Sequence, residues 1–482
     1  MEKLNTKRVI LVGFAFFLIS AFWQAYDAIV PLMLTNRFGL LQTFSGAVMA
    51  LDNVLALFLL PLFGALSDKT KHKMGKRTPY ILIGTICAII AFVILTFVDN
   101  MQLLAVHNAG VPNIVIPDGT DSAEKLKILM DAAWAVTASN PLPLVLFIGM
   151  LLVTLVSMSL FRSPAVALMP DVTIKPLRSK ANAIINLMGT AGGIFVLGLG
   201  LVFKTGGEAM TYASYTWYVV AVCALMAIAL VVFMVTVKEP KWNNEMLEKQ
   251  ALLDAQEDVN KDEINQKTEA KNEKMDKGKL KSMILILASV ALWFCGYNAV
   301  TSKYSLYANN VLNQDYNLTL IIAQAAAIVA FVPAGILASK LGRKKTILVG
   351  ICLLATAFFA AIFITAQTPP FLMYVLFALA GIGWATINVN SFPMVVELAT
   401  GSNIGKYTGY YYTASMAAQV ITPILSGALF DLIDMKILFP YATIFVALSF
   451  VTMLFVKHGN AQDLGGKSAK ELVEDNFSAD AD

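Results

Sequence analysis

The chain has 482 residues, 57% of them hydrophobic and only 14% charged, with a mean hydropathy of +0.68. Soluble proteins carry about a quarter of their residues as charges, so a string of soluble domains is excluded. The formal charge of +4 does not indicate nucleic acid, because the lysines follow loop position and form no basic patch interleaved with aromatics.

The apolar residues come in blocks of roughly 20, the length that crosses about 30 Å of hydrocarbon. In lipid each segment must satisfy its own backbone groups, which makes helices the default. The alternating segments of a β-barrel are absent. In chain order, helices are expected near 9–35, 45–66, 79–98, 143–163, 181–204 and 215–237. A second set is expected near 282–308, 317–340, 346–366, 371–395, 407–430 and 437–456. The first run is too long for a signal peptide and lacks a small-residue cleavage site, so it reads as a retained helix. Cys87, Cys223, Cys295 and Cys352 are single residues inside apolar segments, and His72, His107 and His458 lie far apart. Neither set has metal-ligand or redox spacing, so no cofactor or metal is expected.

Twelve spans put both termini on one side. The ends, the loops on that side and the 238–281 segment hold 30 of the 36 Lys and Arg residues, against Arg37, Lys125, Lys127, Lys204 and Lys436 opposite. The short loops alone keep this bias, which places both termini in the cytoplasm of a multi-pass cell-membrane protein. The 238–281 segment balances ten lysines against eleven acids and reads as a solvated linker with some helical content. The 99–142 stretch is an outside loop without an assigned role. The domains are therefore 1–237, a first six-helix bundle; 238–281, the linker; 282–456, a second bundle; and 457–482, a cytoplasmic tail.

The halves repeat. Phe22-Trp23-Gln24-Ala25-Tyr26-Asp27-Ala28 is similar to Trp293-Phe294-Cys295-Gly296-Tyr297-Asn298-Ala299, and Gly64 to Asp68 is similar to Gly335 to Ser339, both at an offset of 271 residues. Asn53 and Gln324 share that offset. A duplicated six-helix unit is a transporter architecture with its substrate site between the repeats.

Gly64-Ala65-Leu66-Ser67-Asp68-Lys69 followed by Gly75-Lys76-Arg77 resembles the major facilitator signature between spans two and three. Gly335 to Lys345 resembles its degenerate copy between spans eight and nine, with Ser339 in place of the acid. The resemblance covers the whole chain. It implies an all-α polytopic membrane protein, with twelve transmembrane helices in two pseudo-symmetric six-helix bundles. Gly75-Lys76-Arg77-Thr78-Pro79-Tyr80-Ile81 and the run from Arg162 through Pro164 and Pro170 to Asp171 are similar to the sucrose and disaccharide proton-symporter branch. The glycoside–cation symporters are a looser match. Their second carboxylate in span two is missing here, where Ala56 and Leu60 stand, which argues against a two-carboxylate sodium site.

Ionisable groups at helix-centre depth cost roughly 2.5–3.5 kcal/mol each on insertion scales and are functional suspects by default. Asp27 falls about five residues, or about 8 Å, outward of the middle of span one, and Asp52 lies at similar depth in span two. A carboxylate in a partly dry cavity can load and release a proton, which is what cation coupling needs. Asp27 is favoured over Asp52 because its repeat mate, Asn298, keeps hydrogen bonding without charge. The alternative for both is a structural hydrogen bond.

Amides suit a hydroxylated solute because they donate and accept. Gln24, Asn53, Asn186, Asn298, Gln324, Asn388 and Gln419 are the candidate sugar contacts, with Asn182 and Asn390 nearby. Tyr26, Trp384 and Tyr411 join them as flat faces for sugar C–H surfaces, alongside Trp23, Tyr297, Tyr410 and Tyr412. Individually each amide reads first as helix glue. Together they favour a neutral polar solute over a lipid or an anion. Lys303 lies near a span end, where a lysine snorkels.

A third group sits at the cytoplasmic ends: Asp68, Arg77, Arg162, Asp171, Arg178, Arg343, Lys344, Glu397 and Lys406. Pro164 with Asp171 and Pro393 with Glu397 recur at corresponding places, so these charges are read as a gate that pairs and separates. Plain loop anchoring is the other reading. The expected function is cation-coupled, proton-driven import of a sugar by a monomer. The main rival is a proton-driven exporter of drugs or metabolites with the same fold. The Gly-Pro pair typical of such exporters is absent from span five, where Gly189-Thr190-Ala191-Gly192-Gly193 stands. No nucleophile elbow, His-Glu motif or metal cluster supports an enzyme.

Overall fold

The structure is a computed structural model and describes residues 4–117, 120, 122–174, 177–207, 210–262, 277–396, 398 and 404–459. Among these there are helices and no strands. In chain order they are α1 (Thr6–Asn36), α2 (Gln42–Lys69), α3 (Thr78–Asn108), α4 (Ser122–Ser139), α5 (Leu142–Asp171), α6 (Arg178–Phe203) and α7 (Thr216–Thr236). They continue with α8 (Glu239–Asp262), α9 (Lys277–Asn310), α10 (Tyr316–Leu341), α11 (Arg343–Ala361), α12 (Pro370–Val396), α13 (Ile404–Leu432) and α14 (Leu438–Leu454). Twelve are long and apolar enough to cross a membrane. The exceptions, α4 and α8, are the two polar ones. All twelve expected spans are present, most of them longer than the apolar run alone, because polar turns extend the helices past the hydrocarbon.

Two stretches hold more structure than their composition suggested. The 99–142 region continues α3 to Asn108 and then forms α4, whose Thr137 hydroxyl donates to the Phe38 carbonyl at 2.8 Å and accepts from Gln102 at 2.8 Å. The first part of the linker is α8, which is anchored rather than solvated at its start. Trp242 and Met246 are buried, and Arg8 reaches both Glu245 and the Trp242 ring, 5.2 Å from its centroid. Linker residues 263–276 and tail residues 460–482 lie outside the described residues.

The chain divides into two compact units. The first contains residues 1–269 together with Thr301–Ile321 and Pro423–Met435; the second contains Ala270–Val300, Ile322–Thr422 and Lys436–Asp482. In the first unit α1 is the central helix and packs on α6 and α7, while α3 packs on α5 and α7. Phe22, Ala25, Tyr26, Ile29 and Val30 are fully buried, which an apolar helix achieves only when neighbours surround it. At the end of this unit away from the N-terminus, Arg37 and Asp99 form an ion pair with neither side chain exposed. The Arg37 guanidinium also lies 4.5 Å over the Tyr215 ring and donates to the Ala213 carbonyl. In the second unit α11 packs on α12 and α14.

Candidate substrate and coupling site

Asp27 is the anomaly of α1. Its neighbours Tyr26 and Ala28 are buried, yet Asp27 itself is exposed, at membrane depth. It lies within electrostatic reach of Asp52 on α2 and Arg162 on α5. Asp52 accepts a 2.7 Å hydrogen bond from the Asn53 amide. The Arg162 guanidinium sits 5.5 Å from the Trp23 ring centroid, a cation–π distance. Arg162 thus stands with the two carboxylates at membrane depth, apart from the loop charges with which its sequence position grouped it.

Beside this charged trio lies an aromatic cluster. Phe22 and Tyr26 stack at 6.0 Å, and Trp23 meets Tyr26 edge-on at 5.3 Å. The Trp23 indole N–H and the Tyr26 hydroxyl are both buried and have no hydrogen-bond partner among the described residues. Buried donors are nearly always paired in native proteins, which makes these two candidates for contact with a solute. Asn186 on α6 is exposed, and its amide donates to the Asn182 carbonyl at 2.9 Å.

In the second unit, Tyr297 and Trp384 stack face to face, with centroids 3.9 Å apart and planes within 4°. Phe294 meets Trp384 edge-on at 5.2 Å. Asn298 and Gln324 are half-buried and Asn388 is exposed. The Tyr411 hydroxyl lies 2.9 Å from Ser391, and Gln419 donates to the Ser415 carbonyl at 3.4 Å. The bonds of Asn53, Asn186, Asn390 and Gln419 run within their own helices, which is not the pattern of interhelical glue.

The loop between α2 and α3 carries a second cluster. Gly75 turns the chain with a φ of +105°, a conformation glycine adopts without strain. Arg77 is buried and its guanidinium holds four partners: Asp171 at 2.7 Å, the Gly64 carbonyl at 3.3 Å, the Ser67 hydroxyl and Asp68. Lys76 adds a 3.2 Å ion pair to Asp171. The arginine fork thus ties the ends of α2, α3 and α5. Arg178 donates to the carbonyls of Pro170 at 3.0 Å and Thr173 at 3.1 Å, closing the end of α5. In the second unit Arg343 donates to the Pro393 carbonyl at 3.2 Å and Lys344 to Leu454 at 2.8 Å. Glu397 and the side chain of Lys406 lie outside the described residues.

Sequence reasoning missed Glu239. Its carboxylate takes the backbone N–H groups of Lys76 at 2.8 Å, Arg77 at 2.9 Å and Thr78 at 2.8 Å. The available signal was weak: an acid before Pro240, directly after span six. Lys303 corrects another expectation. It does not snorkel; it is fully buried and donates to the backbone and side-chain oxygens of Gln42 at 3.3 and 3.2 Å.

Twelve membrane-crossing helices, a duplicated sequence and charged groups at membrane depth define a polytopic membrane protein of the transporter type. The family model described as Major Facilitator Superfamily matches residues 128–330 and 311–478, and the one described as MFS/sugar transport protein matches 11–109. The chain belongs to the major facilitator superfamily. No curated protein sequence matches it. Among solved structures, the inward-open xylose transporter XylE from E. coli is similar, with a TM-score of 0.61 and 15% identity over 97% of this chain and 99% of that one. A D-xylose–proton symporter has a TM-score of 0.61 and 14% identity over 94% and 98%. A nucleoside transporter, NupG, has a TM-score of 0.55 and 13% identity over 94% and 99%. At these identities the likeness is one of fold.

Proposed function

We propose that this protein imports a neutral sugar, such as a disaccharide or glucoside, coupled to inward proton movement by alternating access. The observation that carries the reading is Asp27, an exposed carboxylate among fully buried neighbours at membrane depth, opposed by Asp52 and Arg162. A carboxylate there is costly and earns its place by loading and releasing a proton. The unpartnered Trp23 and Tyr26 donors and the half-buried amides Gln24, Asn298 and Gln324 supply the hydrogen bonds that sugar hydroxyls need. Asn53, Asn186, Asn388, Tyr411 and Gln419 complete the proposed contacts, with Trp384 as a flat face. Two similar structures carry xylose in their names, one of them as a proton symporter. On this reading the termini are cytoplasmic, the two bundles are 1–237 and 282–456, and the working unit is a monomer. Asp68, Arg77, Asp171, Arg178, Arg343 and Lys344, together with Glu397 and Lys406, form the inner gate, and Arg162 links it to the coupling acids.

The test uses reconstituted vesicles, a panel of mono- and disaccharides, and a dye reporting internal pH. Sugar addition is expected to acidify the interior in sodium-free medium. Uptake that requires sodium while internal pH stays flat would overturn the proton assignment. Uptake of none of the sugars would overturn the substrate class.

A further inference from the structure

The first unit holds a charged junction at the end away from the N-terminus that neither sugar binding nor proton coupling uses. Helix α2 begins at Gln42 after Leu41, a residue with no side-chain oxygen, and Leu41 makes no capping bond. The first turn of a helix leaves four N–H groups unsatisfied. Here the cap comes from 388 and 389 residues away. Asp431, at the end of α13, accepts from the N–H groups of Gln42 and Thr43, each at 2.7 Å, and from the Thr43 hydroxyl at 2.6 Å. The helix dipole adds to this attraction, since the N-terminus of α2 carries partial positive charge.

Below the cap the two helices touch backbone to backbone. A Cβ on Gly427 of α13 would lie 2.6 Å from the Gln42 carbonyl carbon, and one on Gly46 of α2 would lie 2.6 Å from the Pro423 carbonyl carbon. No side chain larger than hydrogen fits either place. Lys303 of α9 closes the third side. It is fully buried, donates to the backbone and side-chain oxygens of Gln42, and is within electrostatic reach of Asp431. The Gln42 side chain is itself oriented by a 2.9 Å bond to Thr35 on α1.

The charges at this junction pull in opposite directions. Asp431 stays exposed, so it keeps its hydration while gaining three hydrogen bonds on closure. Lys303 loses its hydration on closure and meets no carboxylate at ion-pair distance among the described residues. Burying a charge with no carboxylate beside it costs free energy, so an apolar side chain of similar volume in its place favours the closed joint. A permanent joint has no use for such a residue, whereas a joint that opens in every cycle does.

We propose that Asp431 and Lys303 form a latch on the first turn of α2. Asp431 holds this end of the bundle shut, and Lys303 is the buried charge that makes it reopen. The latch rests on the alternating-access reading and on the orientation that makes this end extracellular. It does not depend on which solute or ion is carried.

The experiment therefore uses no substrate. Ser45, on α2 beside the latch, is fully buried and its hydroxyl is unpartnered. Ser45→Cys, in full-length protein with Cys87, Cys223, Cys295 and Cys352 replaced by alanine, reports opening as the rate of labelling by a polar maleimide in lipid nanodiscs. Asp431→Ala is expected to raise that rate about tenfold, the effect of removing one charge-assisted cap. Lys303→Met is expected to lower it at least threefold. Thr43→Val, which removes only the hydroxyl bond, is expected to raise the rate by a smaller factor than Asp431→Ala and serves if the alanine variant does not fold. A rate within twofold of the parent for Asp431→Ala, or for Thr43→Val in its place, overturns the latch. A rate for Lys303→Met equal to or above the parent overturns the reopening role. Failed sugar transport with these labelling rates intact would instead count against the proposed function.

Discussion

The carboxylate of Glu239 caps α3 at Thr78, taking its backbone N–H at 2.8 Å and its hydroxyl at 2.7 Å. Arg77, one residue earlier, gives its own N–H to the same carboxylate at 2.9 Å while its guanidinium holds Asp171 at 2.7 Å. The segment after span six is therefore fastened to the same turn that carries the signature charges. Replacing a helix cap by alanine costs about 0.5–2 kcal/mol, and an acid serving three N–H groups belongs at the upper end. Glu239→Ala should lower the melting temperature of the purified protein, and Glu239→Gln, which keeps an acceptor oxygen, should lower it less. Identical melting of Glu239→Ala and the parent would show that the cap contributes nothing to stability.

At the adjoining cluster, Asp68→Asn and Arg77→Ala should slow transport more than they weaken substrate binding. Asp68 lies in the last turn of α2 and Arg77 directly before α3, and Arg77 spends its side-chain donors on Asp68, Ser67, the Gly64 carbonyl and Asp171. Turnover is expected to fall roughly tenfold or more while the dissociation constant stays within about threefold, the pattern of a lost conformational contact. Equilibrium binding measured beside flux separates the two. A large loss of affinity at normal turnover would move these residues to the substrate site.

The fully buried pair Arg37–Asp99 allows a stability cycle. Removing one partner of a buried ion pair typically costs about 3–5 kcal/mol, because the other charge is stranded, whereas apolar replacement of both is often close to neutral. Arg37→Met and Asp99→Leu should each destabilise the protein strongly. The double variant should recover most of the loss, although the Arg37 bond to Ala213 and its contact with Tyr215 are also given up. Thermal unfolding of all three against the parent decides it. If the two single losses simply add in the double variant, the pair is not coupled.

The twelve spans were legible because lipid imposes a length on apolar runs that survives any detail of packing. Asp27 was legible for the complementary reason, since a charge inside such a run stands out. What escaped was contact between distant segments. Glu239 sits at the head of a polar run that reads as solvated, yet it reaches back 161 residues to Thr78. Lys303 looked like a snorkelling lysine because nothing local shows that Gln42, 261 residues away, meets it. Arg162 was grouped with loop charges by its position near the end of a span, but a long side chain can reach far from its Cα, and this one lies over Trp23. Composition identifies the medium and the segments. It does not say which charge finds which partner.

The sharpest test falls on Asp27. Asparagine keeps the size and hydrogen bonding of the side chain but cannot hold a titratable charge, and the repeat already carries that amide at Asn298. Because the Asp27 side chain is exposed, the substitution buries nothing new. Asp27→Asn should therefore fold and still bind sugar. Alternating access with sugar bound on both sides needs no proton, so sugar-for-sugar exchange across vesicles should persist. Accumulation against a gradient should disappear, because the inward step no longer carries a proton. Asp52→Asn, run in parallel, ranks the two acids; Asp52 already takes a neutral hydrogen bond from Asn53 and should show the milder loss. Arg162 stays in both variants, so a change in its cation–π contact with Trp23 cannot be mistaken for the removal of the carboxylate. If Asp27→Asn still concentrates sugar under an imposed pH gradient, Asp27 is structural and the coupling role passes to Asp52.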